Sequence, residues 1–228
     1  MKRILILTAL ALIAFGCSRT DEVKNTTVAN APAANTEANA PAVSEPVIEE
    51  NFTGGANPKS DVFYSTKKQM ATPVWSVTVT SETALELNML MEHVAPNRYY
   101  VKQPGGEVIV IGKDSYVNQN NKWQKVEVDL SQMISSQAKL VTEEALQNIK
   151  DVQKVGTEQI NGIDTIIYTY KSEGENPGES TTTKVWIDKN NGLPMKINVE
   201  GMINGKMQKV SSVYDYEKKV KIEAPKID

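Results

Sequence analysis

The sequence predicts an α+β domain: nine to eleven strands in one large antiparallel sheet, paired mostly with their sequence neighbours, and three short helices. Three observations predict it. Residues 96–128 read as consecutive short strands, with turns at Pro104-Gly105-Gly106 and Lys113-Asp114. Asn-Gly, whose two positions accept the positive φ of a tight hairpin, occurs at Asn161-Gly162, Asn191-Gly192 and Asn204-Gly205. Apolar and polar residues alternate from Leu85 to His93 and from Leu193 to Val199, the two-residue period of a half-buried strand. A sheet this wide must curl or close to cover its apolar face.

The chain divides into three parts. Met1, Lys2 and Arg3 form a positive head before an apolar run of thirteen residues over 4–16, too short to span a bilayer and long enough for an export signal. The run ends in Ala14-Phe15-Gly16 and then Cys17, the only cysteine. This resembles the lipobox of bacterial lipoproteins, which implies cleavage before Cys17, acyl chains on Cys17 and a membrane-anchored mature chain; an ordinary secretory signal with an incidental cysteine is the other reading. Two acyl chains suffice for a stable anchor at about 0.8 kcal/mol per buried methylene. Ser18, in place of the aspartate that often retains such proteins at the inner membrane, favours the outer membrane, facing the periplasm, if the cell is Gram-negative. Residues 17–56 then hold the anchor and a tether: half of the positions over 29–42 are alanine, and no apolar period exists. Residues 57–228, about 170 in number, suit one domain. Without the signal the chain carries 23 basic and 28 acidic side chains, so charge and compartment both disfavour a nucleic acid partner.

Within the domain, Ser60 is placed to cap a helix over 61–70 that presents Val62, Phe63 and Met70 and stops at Thr72-Pro73. Residues 74–80 are β-branched and extended. In the next strand Leu85, Leu87, Met89, Met91 and His93 share one face. Glu86, Asn88 and Glu92 share the other face with Ala84, Leu90 and Val94, so that face is wet or only partly covered, and both glutamates are expected to be solvated. Leu130, Met133, Ile134 and Ala138 recur at helical spacing over 129–138, with Asp129 and Gln132 placed like a capping box. Thr142 is placed to cap a further helix with Ala145, Leu146 and Ile149, ending near Lys150. Strands follow over 152–160, 163–171, 181–188, 193–203 and 206–216.

Two stretches bear on function. Val108-Ile109-Val110-Ile111 is apolar on both pleat faces, so one side needs protein and the other needs protein or an apolar ligand. Methionines recur among the alternating apolar residues, at Met89, Met91, Met195 and Met202, with Met133 on a helix. Flexible thioethers suit either a changeable acyl ligand or a methionine-rich core. For chemistry there is little material. His93 is the single histidine and Cys17 is assigned to the anchor, which removes His/Cys metal clusters and Cys-His pairs. No Gly-x-Ser-x-Gly elbow and no phosphate-cradling loop is present. Residues 188–192, Asp-Lys-Asn-Asn-Gly, lack calcium-loop spacing and read as a hairpin turn; His93 reads as structural.

Arg98-Tyr99 after Pro96-Asn97, the Val-Ile-Val-Ile-Gly run with Tyr116 and Trp123 following, Gly156-Thr157-Glu158 before Asn161-Gly162, and Lys184-Val185-Trp186-Ile187-Asp188 before Gly192-Leu193-Pro194 together resemble the bacterial lipoprotein-carrier superfamily (LolA/LolB-like, LppX/LprG-like and RseB-like proteins). The resemblance covers about residues 58–220. It implies an incomplete, half β-barrel whose concave face is plugged by helices over an apolar cavity. On that fold the lining would come from Leu85, Leu87, Met89 and Met91, from Tyr99, Val101, Val108 and Val110, from Met133 and Ile134, and from Met195, Ile197 and Val199. The implied function is non-enzymatic and without a cofactor or metal: an anchored protein that shields or transfers lipid or the acyl chains of a lipoprotein. The other implied role is an RseB-like sensor or scaffold that binds an envelope protein and no lipid.

Overall fold

The computed structural model describes residues 51–84, 87–138, 148–173, 179–203 and 206–227. Eleven strands and two α-helices are found among them. Helix α1 (Pro58–Ala71) is followed by β1 (Val74–Ser81), β2 (Met89–Val94), β3 (Arg98–Gln103), β4 (Gly106–Ile111), β5 (Asp114–Gln119) and β6 (Lys122–Val126). Helix α2 (Ser131–Ala138) precedes β7 (Lys150–Ile160), β8 (Ile163–Glu173), β9 (Ser180–Asp188), β10 (Pro194–Ile203) and β11 (Lys206–Asp215).

All strands join one antiparallel sheet in the order β6-β5-β4-β3-β2-β1-β11-β10-β9-β8-β7. Sequence neighbours pair throughout each half, as expected. The exception is the pairing of β1 with β11, Ser76 opposite Asp215 through Ser81 opposite Val210, which joins the two meanders. Strands β6 and β7 are the two edges and do not pair, so the sheet is open rather than a closed barrel, consistent with the expected half-barrel.

Several local expectations need correction. Helix α1 begins ahead of residue 60: Pro58 sits in its first turn, where no N–H is needed, and the Asn57 side chain, not Ser60, caps by accepting the Ser60 N–H at 3.2 Å. The strand expected from Leu85 begins only at Met89. Before it, the Leu87 N–H bonds the Ala84 carbonyl and the Asn88 side chain accepts the Ser81 N–H, so a tight connection consumes those residues. Asn191-Gly192 is not a two-residue turn, since β9 and β10 are separated by residues 189–193 and only Gly192 has positive φ, 73°. A Cβ there would lie 2.7 Å from the Tyr64 ring, so α1 packs directly on this loop. Asn161-Gly162 does have both angles positive. So does Asn120-Asn121, a turn that adds β6 to the central meander. The third helix, over 142–150, lies mostly outside the described residues; Lys150, its expected end, already belongs to β7.

Both helices cover the same face of the sheet, here the inner face. Ile134 of α2, 0% exposed, packs with Trp75, Val77, Val79, Met91, Tyr99, Val101, Val110 and Tyr214. Val62 and Phe63 of α1 pack with Ile149, Ile166, Tyr168, Tyr170, Val185 and Ile187. Ile197 touches both groups, which makes the core continuous across the β1–β11 seam. On the outer face Ile109 and Tyr116 pack against Ile222 of the C-terminal segment, with Val94, Tyr100, Ile111, Trp123 and Val220 around them. The two-sided apolarity of β4 is therefore satisfied by a helix on one side and by the chain's own tail on the other.

One polar group organises the α1 half. Asp61, 0% exposed, accepts hydrogen bonds from the Thr53 N–H and hydroxyl, from the Gly55 N–H at 2.6 Å and from the Tyr168 hydroxyl at 2.6 Å. Residues 52–55, which the sequence places in the tether, are thus bound to the domain, and Phe52 packs against Tyr64 with ring centroids 6.0 Å apart. Burial and the adjoining carboxylate push the Tyr168 hydroxyl pKa upward, so it remains the donor. Asp61→Ala should cost more than about 3 kcal/mol in urea unfolding, because buried N–H donors lose their acceptor. Tyr168→Phe should cost about 1.5–3 kcal/mol, the range for one hydrogen bond to a charged group. Equal, near-zero losses would show that water replaces the carboxylate.

Candidate functional site

The inner face is the candidate site, and strand register decides which residues reach it. Val77, Met91, Val101 and Val108 lie opposite one another in consecutive strands, as do Trp75, His93, Tyr99 and Val110 one level away. Val79 lies opposite Met89 on β2 and opposite Ser212 on β11, and Ser212 pairs with Ile197. Val199 pairs with Val210 and so shares that face. Of the residues expected to line a cavity, Met89, Met91, Tyr99, Val101, Val108, Val110, Ile197 and Val199 therefore stand on one surface, with Ile134 set on it from α2.

The others are placed differently. Met133 is half-buried on α2. Met195 is buried at a bulge between Pro194 and Lys196, outside the regular pairing that sets Ile197 and Val199. Leu87 is buried in the connection ahead of β2 rather than in a strand. Leu85 and Cys17 lie outside the described residues. Sequence reasoning overlooked Trp75, Tyr214, Val117 and Val210 as members of this face. The alternation of Trp75, Val77 and Val79 along β1 carried that signal for the first.

Burial divides the face into two zones. Toward the sheet end with the β2–β3 connection it is filled by rings: His93 lies 5.2 Å from Trp75 and 4.8 Å from Tyr99, and Trp75 meets Tyr214 edge-on at 6.3 Å. Tyr214 stacks in turn on Tyr216, whose hydroxyl donates to the Pro194 carbonyl at 2.9 Å. Toward the opposite end, which carries the β3–β4 and β5–β6 turns, Met89, Val108, Val117, Val199 and Val210 are only half-buried. These five apolar side chains are incompletely covered beside a packed aromatic floor, with buried Val79 and Ser81 standing between Met89 and Val210. Such a surface gains free energy from apolar contact at roughly 25 cal/mol per Å² and offers little directional bonding.

Buried Ser81, Ser115, Thr183 and Ser212 lie on this face beside His93. Burial lowers the His93 pKa from its ordinary 6.5, and its buried Nδ1 has no protein hydrogen-bond partner. Tyr170 is pushed up to about 12 by burial, which outweighs its hydrogen bond with Thr183. Away from the face, Glu92 is not the solvated side chain expected: it is 14% exposed and pairs with Lys218 at 2.6 Å. A polar recess lined by Thr157, Glu158, Gln159, Asp164, Thr165 and Lys189 lies around the β7–β8 hairpin, where the Gln159 amide donates to Asp164 at 2.7 Å. Among the described residues no group of three His, Cys, Asp or Glu side chains is placed to hold a metal.

The fold has counterparts among solved structures. The Mycobacterium tuberculosis lipoprotein LppX matches with a TM-score of 0.55 at 13% identity, over 72% of this chain and 97% of that one. LprF from Mycobacterium bovis matches with a TM-score of 0.57 at 13% identity, over 74% and 96%. MucB aligns at a TM-score of 0.37 and 9% identity over 70% and 62%, too loosely to argue from. No family model and no curated protein sequence matches the chain. The resemblance to lipoprotein-carrier proteins holds at the level of fold.

A neutral, buried His93 has a consequence for acid stability. Its folded pKa lies below the unfolded value, so the unfolded chain takes up the proton first as pH falls through about 6.5. Stability should then decline with acidification until the folded value is reached. His93→Phe should lessen that decline in chemical denaturation at pH 7, 6 and 5. A wild type and variant with parallel pH profiles would show that the imidazole is protonated equally in both states.

Proposed function

We propose that this chain is an exported, lipid-anchored, non-catalytic protein of the cell envelope that binds lipid or an acylated protein on the inner face of its half-barrel. The observation that carries the reading is the incomplete burial of Met89, Val108, Val117, Val199 and Val210 on the face that both helices cover. A fold shared with LppX, itself a lipoprotein, and with LprF supports it, as does the lipobox-like Ala14-Phe15-Gly16-Cys17. Each acyl methylene taken from water would contribute about 0.8 kcal/mol. Shielding such chains during transfer needs an apolar surface and no reacting group.

A second reading, a sensor or scaffold that binds a protein partner and no lipid, draws on the packed rings of Trp75, Tyr99 and Tyr214. They leave less of the inner face for a ligand than an empty half-barrel would.

The test is native mass spectrometry and organic extraction of the exported chain carrying Cys17→Ser, purified from a periplasm. Near-stoichiometric phospholipid or acylated peptide is expected. Val199→Asp should reduce bound lipid at least tenfold while Val155→Asp, at an exposed position of β7, leaves it unchanged. A folded protein with no extracted lipid and no uptake of a fluorescent fatty acid would turn the search to protein partners.

A further inference from the structure

The outer face of β2–β6 holds an extended peptide that is not part of the sheet. After Asp215 the chain crosses this face from β2 toward β5. Lys218 pairs with Glu92 on β2, the Arg98 guanidinium on β3 donates to the Ile222 carbonyl at 2.9 Å, and Ile222, 5% exposed, packs on Ile109 and Tyr116. Val220 and Ile222 are two residues apart, so in an extended segment both point to the sheet. Lys219, Lys221 and Glu223 are exposed. The contacts are a cation on a largely buried carboxylate, one carbonyl on an arginine, and two apolar anchors.

The surface beneath is wider than its occupant. Val94, Tyr100, Ile111 and Trp123 stay half-exposed with the tail in place. Tyrosine, tryptophan and arginine are the residues that dominate protein-binding surfaces. Burial first, then Glu107 and Glu92, raise the Tyr100 pKa; Glu107 is paired with Lys102 at 3.5 Å, so Glu92 is the acidic group beside the rings that the tail meets. In the segment that fills the groove, Lys218-Lys219-Val220-Lys221-Ile222, Lys218 meets Glu92, while Lys219 faces solvent and Lys221 pairs with Glu223 within the tail.

We infer that this groove is a docking site for an extended basic and apolar segment of a partner protein, and that residues 217–227 are its intramolecular occupant. A partner segment with two apolar side chains two positions apart, a lysine or arginine ahead of them and a free carbonyl would make the same contacts. The tethered tail competes at an effective concentration on the order of millimolar, so binding in trans is suppressed until the tail is displaced. This site is on the face opposite the proposed lipid surface, and its test does not depend on that reading.

The test uses the full chain with a specific protease site inserted between Glu217 and Lys218, so that the domain folds before the tail is released. A fluorescent peptide with the sequence of residues 217–227 should bind the cleaved, washed protein with a micromolar Kd by polarisation and the uncleaved protein at least tenfold more weakly. Arg98→Ala and Glu92→Gln should each weaken it several-fold. A competitor with every lysine replaced by arginine and both anchors by leucine should displace it within tenfold of the parent, whereas aspartate at both anchors should abolish competition. Competition by the parent sequence alone, or a cleaved domain that unfolds or never rebinds peptide, would overturn the proposal and make the tail a structural strap.

Discussion

The pairing of β1 with β11 is the constraint on which the remaining structure depends. Every other strand contact joins sequence neighbours and can form locally. This one brings together residues 76–81 and 210–215, and the loop closed between them is long enough that its entropy must be offset by packing across the seam. Trp75, Val77 and Val79 on one side meet Tyr214 on the other, and Ile197 extends the contact into the α1 half. Without the seam there would be two meanders, each with an added open edge; with it one surface is wide enough to receive both helices.

Covering that surface produces the asymmetry between its two ends. Rings fill the end near His93, and side chains of valine and methionine size leave the other end only half-buried. A helix of eight residues such as α2 buries one patch well, with Ile134 at its centre, but spans about 12 Å by its rise per residue. Eleven strands spaced about 4.8 Å apart present a much wider face. The two described helices therefore cover only part of it. The same arithmetic applies to the outer face, where the tail covers Ile109 and Tyr116 and leaves Tyr100 and Trp123 in partial contact with water.

Polar groups inside the domain mark where the chain is tied rather than where chemistry occurs. Asp61 gathers donors from residues 53, 55 and 168 and so couples the entry of the domain, α1 and β8 through one carboxylate. His93 is held between two rings with its Nδ1 unpaired by protein. Each is costly to bury, which suits positions where a local arrangement must be unique.

The sequence by itself determined the sheet, its strand boundaries within a few residues at most positions and the sequential pairing, because turns and two-residue alternation are properties of neighbouring residues. Asn161-Gly162 was legible for that reason, and the inner-face sets Met89–Met91 and Ile197–Val199 followed from period alone. The tertiary structure alone decided how those sets meet. Nothing local couples Val79 to Ser212, selects Asn57 over Ser60 as the cap, or assigns the second face of β4 to Ile222 rather than to a ligand. Glu92 reads as solvated because Glu86 and Asn88 share its face, and it is covered by a segment 126 residues away in sequence. Alternation reports which side chains share a face; what lies on that face is set by long-range packing.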